Sequence, residues 1–261
     1  MPLVKVNDIN MYYEIHGQGL PLAFVSGLSG TTDWFLSNLP TYARHFMCIV
    51  FDNRGAGRTD APDNPYSTGM MADDLAGLLD VLDVDRAHVV GHSLGGCIAQ
   101  QFAICYPERV DHLILIATSC GGPHSVPQPE IDWSDPEALC RGIYTQAYLD
   151  ANPGAIRDLT DRMQAMFTTP GGLVGITHQA EASVNHDTYD KLPKITASTL
   201  VLAGDSDGLV LPENAAILAA RIPNARSTIV PSAGHSLIEA EEAVVAMIIG
   251  FLEGDSDTGI D

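Results

Sequence analysis

The chain has 261 residues, 46% of them apolar and 18% charged, which suits one large domain with a buried core and excludes wholesale disorder. Its 33 Asp and Glu against 13 Lys and Arg give a formal charge of −20. Nucleic-acid phosphates and anionic membrane surfaces are bound by clustered cations, so neither is an expected partner.

In chain order, the N-terminus from Met1 to Asp8 lacks the apolar stretch of a secretion signal, which points to the cytoplasm. No run of about 18 apolar residues occurs, so no membrane-spanning helix is expected. Residues 4–6 and 10–15 predict a hairpin turning at Asn7-Asp8-Ile9. Short apolar runs at 22–25, 48–51, 88–90, 113–116, 199–202 and 227–230 read as buried parallel strands. Between them, Met71, Leu75, Leu78, Leu79 and Leu82 recur at helical spacing. Val244, Met247, Ile248 and Phe251 do the same after Glu239, Glu241 and Glu242, acids that suit a helix N-terminus. Alternating strands and helices predict an α/β sheet covered on both faces.

One stretch breaks the alternation. Residues 122–192 carry helical patterns and no strand signal, with Pro123, Pro127, Pro129 and Pro136 at the entry and Leu192-Pro193 at the exit. The division expected is a core of 1–121 and 193–252, a helical lid of 122–192, and a disordered tail of 253–261. The five cysteines (Cys48, Cys97, Cys105, Cys120, Cys140) form an odd count without C-x-x-C, so neither a disulfide framework nor a zinc site is expected.

The strongest motif is Gly91-His92-Ser93-Leu94-Gly95-Gly96, between the strand signal at 88–90 and a helical run from Cys97 to Ala103. G-x-S-x-G between strand and helix is a nucleophile elbow. The serine must sit on a sharp, strained turn with its hydroxyl exposed, and small neighbours let strand and helix approach. The helix N-terminus then offers unpaired N–H groups beside the reacting centre.

Together with Phe51-Asp52-Asn53-Arg54-Gly55-Ala56-Gly57-Arg58, Tyr106-Pro107-Glu108-Arg109-Val110, Gly204-Asp205-Ser206-Asp207 and Gly234-His235, this elbow resembles the α/β-hydrolase superfamily over nearly the whole chain. Within it the sequence looks most like the small serine esterase and 3-oxoadipate enol-lactonase-like group, which includes cofactor-free perhydrolases. The resemblance implies a mostly parallel eight-stranded sheet flanked by helices, and a Ser-Asp-His triad in that chain order.

Ser93 needs a base. His235 follows the last strand signal in Ser232-Ala233-Gly234-His235-Ser236, on a loop that can reach over the sheet. His92 adjoins Ser93, but neighbours on a tight turn point apart. The orienting carboxylate is Asp207 or its rival Asp205; the family's second acidic position favours Asp207. The alternative site after the sixth strand reads Ala117-Thr118-Ser119-Cys120, without a carboxylate. The oxyanion donors implied are the N–H groups of Leu94 and of Leu28, in Ser26-Gly27-Leu28-Ser29-Gly30. Ser26 stands where relatives often have His, which leaves Ser29 open as an alternative to Leu28. One such donor is worth about 2.7–4 kcal/mol in kcat.

Trp34, Trp133 and Leu209 are candidate pocket walls, and Cys120 faces the pocket or the core. Met163, Met166 and Phe167 line the pocket or, more in keeping with their spacing, pack the lid on the core. Asp52 and Arg54 should brace their loop, since no following helix makes Gly55-x-Gly57 a dinucleotide cradle. His178 and His186 lack metal-ligand spacing. No cofactor or metal is expected.

The activity expected is cleavage of a small-molecule carboxylic ester or lactone through an acyl-enzyme. The alternatives are perhydrolase or haloperoxidase-type chemistry on the same triad, and a non-catalytic ligand receptor. Epoxide hydrolysis and dehalogenation need Asp at the place of Ser93. A homodimer is a common assembly for such a chain. The acidity is spread, about −7 over 1–121, −6 over 122–192, −3 over 193–252 and −4 over 253–261, with 23 Asp and 10 Glu against only three Lys. Such a surface is suited to salt, where screening relieves self-repulsion.

Overall fold

The apolar runs of the sequence become strands of a single sheet. The computed structural model describes residues 3–169 and 171–254. The strands are β1 (Leu3–Val6), β2 (Ile9–His16), β3 (Leu20–Val25), β4 (Phe46–Phe51), β5 (Ala87–His92), β6 (Val110–Ile116), β7 (Ser198–Gly204) and β8 (Ala225–Val230). Their order across the sheet is β1-β2-β4-β3-β5-β6-β7-β8. β2 pairs antiparallel with β1 and β4, and every pairing from β4 to β8 is parallel. The hairpin turns at Asn7, in the left-handed region at φ 49°.

Alternate residues of the central strands serve two cores. Ala23, Val25 and Val89 face α2 (Thr68–Val81), α3 (Leu94–Cys105) and α8 (Glu213–Arg221), through Met71, Leu75, Phe102 and Leu218. Leu22, Phe24 and Val90 face α1 (Leu39–Tyr42) and α9 (Glu241–Glu253), through Tyr42, Val244 and Ile248. β3, β4, β6 and β8 start two or three residues before the runs that announced them. Those first residues include exposed Leu20 and half-buried Asp111 and His112, which carry no continuous apolar signal. Ser67 caps α2 by accepting from the Met70 N–H, and Glu241 and Glu242 occupy the first turn of α9.

Between β6 and β7 the chain forms α4 (Pro136–Ile143), α5 (Gln146–Ala151), α6 (Ala155–Thr168) and α7 (Gly172–Val184). Among the described residues of this stretch there is no strand, only an isolated bridge from Gly121 to Asp187. Leu139, Cys140, Tyr144 and Leu159 make a small core there with Leu209 of the main body, and Met163 packs against it. Of the expected disordered tail, Glu253 ends α9 and Gly254 is its left-handed cap at φ 90°, while 255–261 lie outside the described residues. All five cysteines are free thiols. Among the described residues no helix is long and apolar enough to cross a membrane.

Candidate active site

The C-terminal ends of the parallel strands carry the loops singled out by the motifs. Ser93 stands between β5 and α3 at φ 56°, ψ −121°, a left-handed conformation that costs a non-glycine residue of order 1–3 kcal/mol. The surroundings hold it there. Its N–H donates to the Ile116 carbonyl at 2.9 Å, and Thr118 Oγ1 donates to its carbonyl at 2.8 Å. A Cβ on Gly95 would collide with the Val25 carbonyl, so only glycine lets the start of α3 press against the end of β3.

His235 lies after β8 and Asp207 after β7, both at least 95% buried. The His235 Nδ1–H donates to Asp207, with Oδ2 at 2.9 Å and Oδ1 at 3.1 Å. This fixes the tautomer that leaves Nε2 as the basic lone pair. Asp207 Oδ1 also accepts the N–H groups of Leu209 and Val210, each at 2.9 Å, so the carboxylate is locked to its own loop. Asp205 is exposed and bonds instead to Ser206 Oγ at 2.8 Å. Backbone donors around Ser232 and Ala233 hold its carboxyl below the usual range.

His92 connects the elbow to the histidine loop. Its Nε2–H donates to the His235 carbonyl at 2.9 Å, and the two rings lie 5.0 Å apart. Burial drives the His92 pKa down to about 3, and the adjacent His235 pushes the same way. It is therefore a neutral tie and is not available as a base.

The loop after β3 lies against the elbow, since a Cβ on Gly27 would sit 3.2 Å from Ser93 Cβ. The Gly30 N–H to Gly27 carbonyl bond at 3.1 Å closes a turn with Ser29 in the left-handed third position, φ 56°. Ser26 donates its hydroxyl to the Gly30 carbonyl at 2.8 Å and cinches that turn. Asn53 Nδ2 donates to the Ser26 carbonyl at 3.0 Å. The Ser29 N–H is committed to Gln179 Oε1 at 2.7 Å. The N–H groups of Leu28 and Leu94 have no hydrogen-bond acceptor among the described residues.

Asp52 and Arg54 brace these loops. Asp52 accepts from the Thr32 N–H at 2.8 Å and from Arg58 Nε at 2.8 Å. Buried Arg54 pairs with buried Asp74, through Nη2 to Oδ1 at 2.8 Å. Trp34 stacks near His92, centroids 5.1 Å apart. Both line a cavity of about 270 Å³ with an apolar floor of Phe24, Val90 and Ile116 and a rim of Tyr144, Tyr148, Arg162 and Ser236.

The other candidates lie elsewhere. Trp133 is 48% exposed and does not line this cavity, and Leu209 packs in the small helical core. Cys120 is buried in the main core, and Phe167 is 52% exposed. His178 bonds to Asp63 and Glu181, whereas buried His186 bonds to Thr68 and Thr188. No cluster of His, Cys, Asp or Glu among the described residues has the geometry of a metal site. Gln179 escaped the sequence reading. A single glutamine in a helix carries no signal that it points inward, and only its spacing from small Gly172, Gly175 and Ala182 on one face hints at it.

Comparison with known proteins agrees with this architecture. The sequence profile of the alpha/beta hydrolase fold family matches residues 21–181. A protein of Azorhizobium caulinodans with the provisional name carbamate hydrolase RutD is 30% identical, over 96% of this chain and 98% of its own. A poly(3-hydroxyalkanoate) depolymerase of Ectopseudomonas oleovorans is 33% identical, over 92% and 87%. Among solved structures, Est816, described as an N-acyl homoserine lactone degrading enzyme, superposes with a TM-score of 0.83 at 29% identity, over 96% of this chain and 100% of its own. A profile covering more than half of the chain, and relatives aligned almost end to end, fit the sheet order and the strained serine turn: this protein belongs to the alpha/beta hydrolase fold family.

Proposed function

We propose that the protein is a serine hydrolase that cleaves a carboxylic ester or lactone through an acyl-enzyme. The observation that carries this reading is the contact between elbow and base. The residue beside Ser93 bonds to the backbone of His235, whose ring is locked by Asp207. The order Ser93, Asp207, His235 and the two N–H groups without partners, on Leu28 and Leu94, complete an acyl-transfer arrangement.

In this mechanism Ser93 Oγ attacks the substrate carbonyl carbon while His235 Nε2 takes the hydroxyl proton. The carbonyl π pair moves onto oxygen, and the N–H groups of Leu28 and Leu94 hold that oxyanion. Because the Ser29 N–H is already bonded to Gln179, Leu28 is the donor free to serve. The tetrahedral species collapses, the ester C–O bond breaks, and His235 returns the proton to the leaving alkoxide. Water, deprotonated by His235, then attacks the acyl-enzyme and releases Ser93. Asp207 stabilises the imidazolium in both halves.

The helical stretch 122–192 is the lid of this site. A substrate with an acyl portion is in keeping with relatives named for a polyester and for an acyl lactone; the cavity beside His92 is lined by neither Ser93 nor His235 and does not define that portion. The test is a series of p-nitrophenyl esters and γ-lactones of graded chain length, with peroxide added in a parallel arm. Turnover that rises with acyl length and vanishes in Ser93→Ala supports the proposal. Peracid formation outrunning hydrolysis transfers the triad to the perhydrolase reading. Undiminished turnover in a folded Ser93→Ala protein ends both.

A further inference from the structure

Gln179 is fully buried, at 0% exposure, yet it belongs to α7, a helix of the stretch between β6 and β7. Both ends of its amide are used. Oε1 accepts the Ser29 N–H at 2.7 Å, and Nε2 donates to the Arg54 carbonyl at 2.7 Å. α7 reaches this depth because its backbone rests directly on the loop after β4. A Cβ on Gly175 would collide with the Gly55 carbonyl, and Gly175, Gln179 and Ala182 are all buried on that face. One side chain thus joins the lid to two core loops, one of them the turn that carries Leu28.

We infer that Gln179 is a positioning residue for the oxyanion hole, and that α7 is a fixed wall of the site. This inference rests on the serine-hydrolase reading. Ser29 occupies a left-handed conformation at φ 56° that costs a serine free energy, so something must hold it. The turn is closed by Gly30 to Gly27 at 3.1 Å, and the carbonyl of the peptide between Leu28 and Ser29 accepts only from Ser29's own hydroxyl at 2.6 Å, so neither bond ties that peptide to the rest of the protein. Gln179 Oε1 fixes that peptide by taking its N–H, and the Leu28 N–H, one peptide earlier in the same turn, is oriented with it. The Arg54 carbonyl in turn fixes the Gln179 amide, because Arg54 is pinned by Asp74. α7 cannot lift without leaving an amide, an N–H and a carbonyl buried and unpaired.

Gln179 contacts neither Ser93, His235 nor Asp207 by any hydrogen bond, so its effect is confined to the loop. The test compares wild type with Gln179→Met, which keeps the length and loses both bonds, and Gln179→Glu, which keeps the acceptor for Ser29. Steady-state kinetics on p-nitrophenyl acetate are read beside the inhibition constant of an alkyl trifluoromethyl ketone, whose hemiketal oxyanion occupies the hole. Removal of one oxyanion donor lowers kcat by about 10²–10³, and displacement of one is expected to cost Gln179→Met about 10- to 100-fold. KM should hold within about twofold, inhibitor affinity should fall by the same factor as kcat, and Gln179→Glu should recover part of the loss.

The inference is overturned if kcat is unchanged in folded Gln179→Met. It is overturned equally if KM and inhibitor affinity shift together, or if neither variant folds, which makes the residue purely structural. Ser93→Ala is run alongside. If that variant keeps full turnover, the serine reading itself has failed, whatever the Gln179 variants do.

Discussion

The backbone N–H of His235 donates to the carbonyl of Ile143, the last residue of α4, across 2.7 Å. The acid loop docks on the same helix end, where the Gly208 N–H meets the Gly142 carbonyl at 3.0 Å. A helix C-terminus leaves carbonyls without internal partners, and here the loops of the His-Asp pair satisfy them. The stretch between β6 and β7 therefore holds the His235 and Asp207 loops by their backbone. A Cβ on Gly234 would collide with the Ile143 carbonyl. Gly234→Ala should push the His235 loop off α4 and lower kcat by about tenfold or more, since misplacement by an ångström costs up to about 10²-fold. Steady-state kinetics on a p-nitrophenyl ester check this; full kcat in the variant would show that the docking is dispensable.

The two acids of the β7 loop separate cleanly. Asp207→Asn keeps size but offers an amide to a histidine that needs an acceptor, so kcat should fall by roughly 10³–10⁴. Exposed Asp205 makes no bond to His235, and Asp205→Asn should stay within about twofold of wild type. Measuring both variants on one substrate decides the assignment, and the reverse pattern would exchange their roles.

Acid should unfold the protein through its buried histidines. Burial holds His92 neutral with a pKa of about 3, and His88 and His186 with values of about 4. All three lie below the unfolded value of about 6.5, so the unfolded chain binds more protons between those limits. The stability these neutral rings confer is complete above pH ~6.5 and is lost as pH falls from there toward ~4. His178, raised by the Asp63 and Glu181 carboxylates, opposes this weakly from a solvent-facing position. Thermal melts at stepped pH should show a flat Tm above neutrality and a steady fall below pH ~6.5. A Tm independent of pH down to ~4 would contradict the burial argument.

The net charge of −20 makes a fourth, separate prediction. Screening should relieve repulsion among the carboxylates, so Tm should rise from low to molar sodium chloride at neutral pH. A flat or falling Tm would remove salt adaptation as the reason for the surface.

Much of this was legible in the sequence because the signals were local. The central strands announce themselves by buried apolar runs, whereas β8, expected to be buried, lies at the sheet edge with only Val230 buried; Gly91 to Gly95 mark the strained turn because strand and helix must nearly touch there. His235 and Asp207 stand out by following strands in a fixed order. What stayed hidden depends on contacts far apart in the chain. Gln179 reads as any helical glutamine until α7 is laid on Gly55, 120 residues earlier. The carbonyls of Gly142 and Ile143 carry no side-chain signature at all. Trp133 looked like a pocket wall because it is large and apolar, yet it faces solvent. Size alone does not set the side on which a loop residue lies.

The central claim is that Ser93 is an activated nucleophile. Incubation with a fluorophosphonate, followed by intact mass and peptide mapping, tests it without knowledge of the substrate. One adduct per chain is expected, located on Ser93, absent from Ser93→Ala and strongly slowed in His235→Ala. An unlabelled wild-type protein, or equal labelling of wild type and Ser93→Ala, would contradict it.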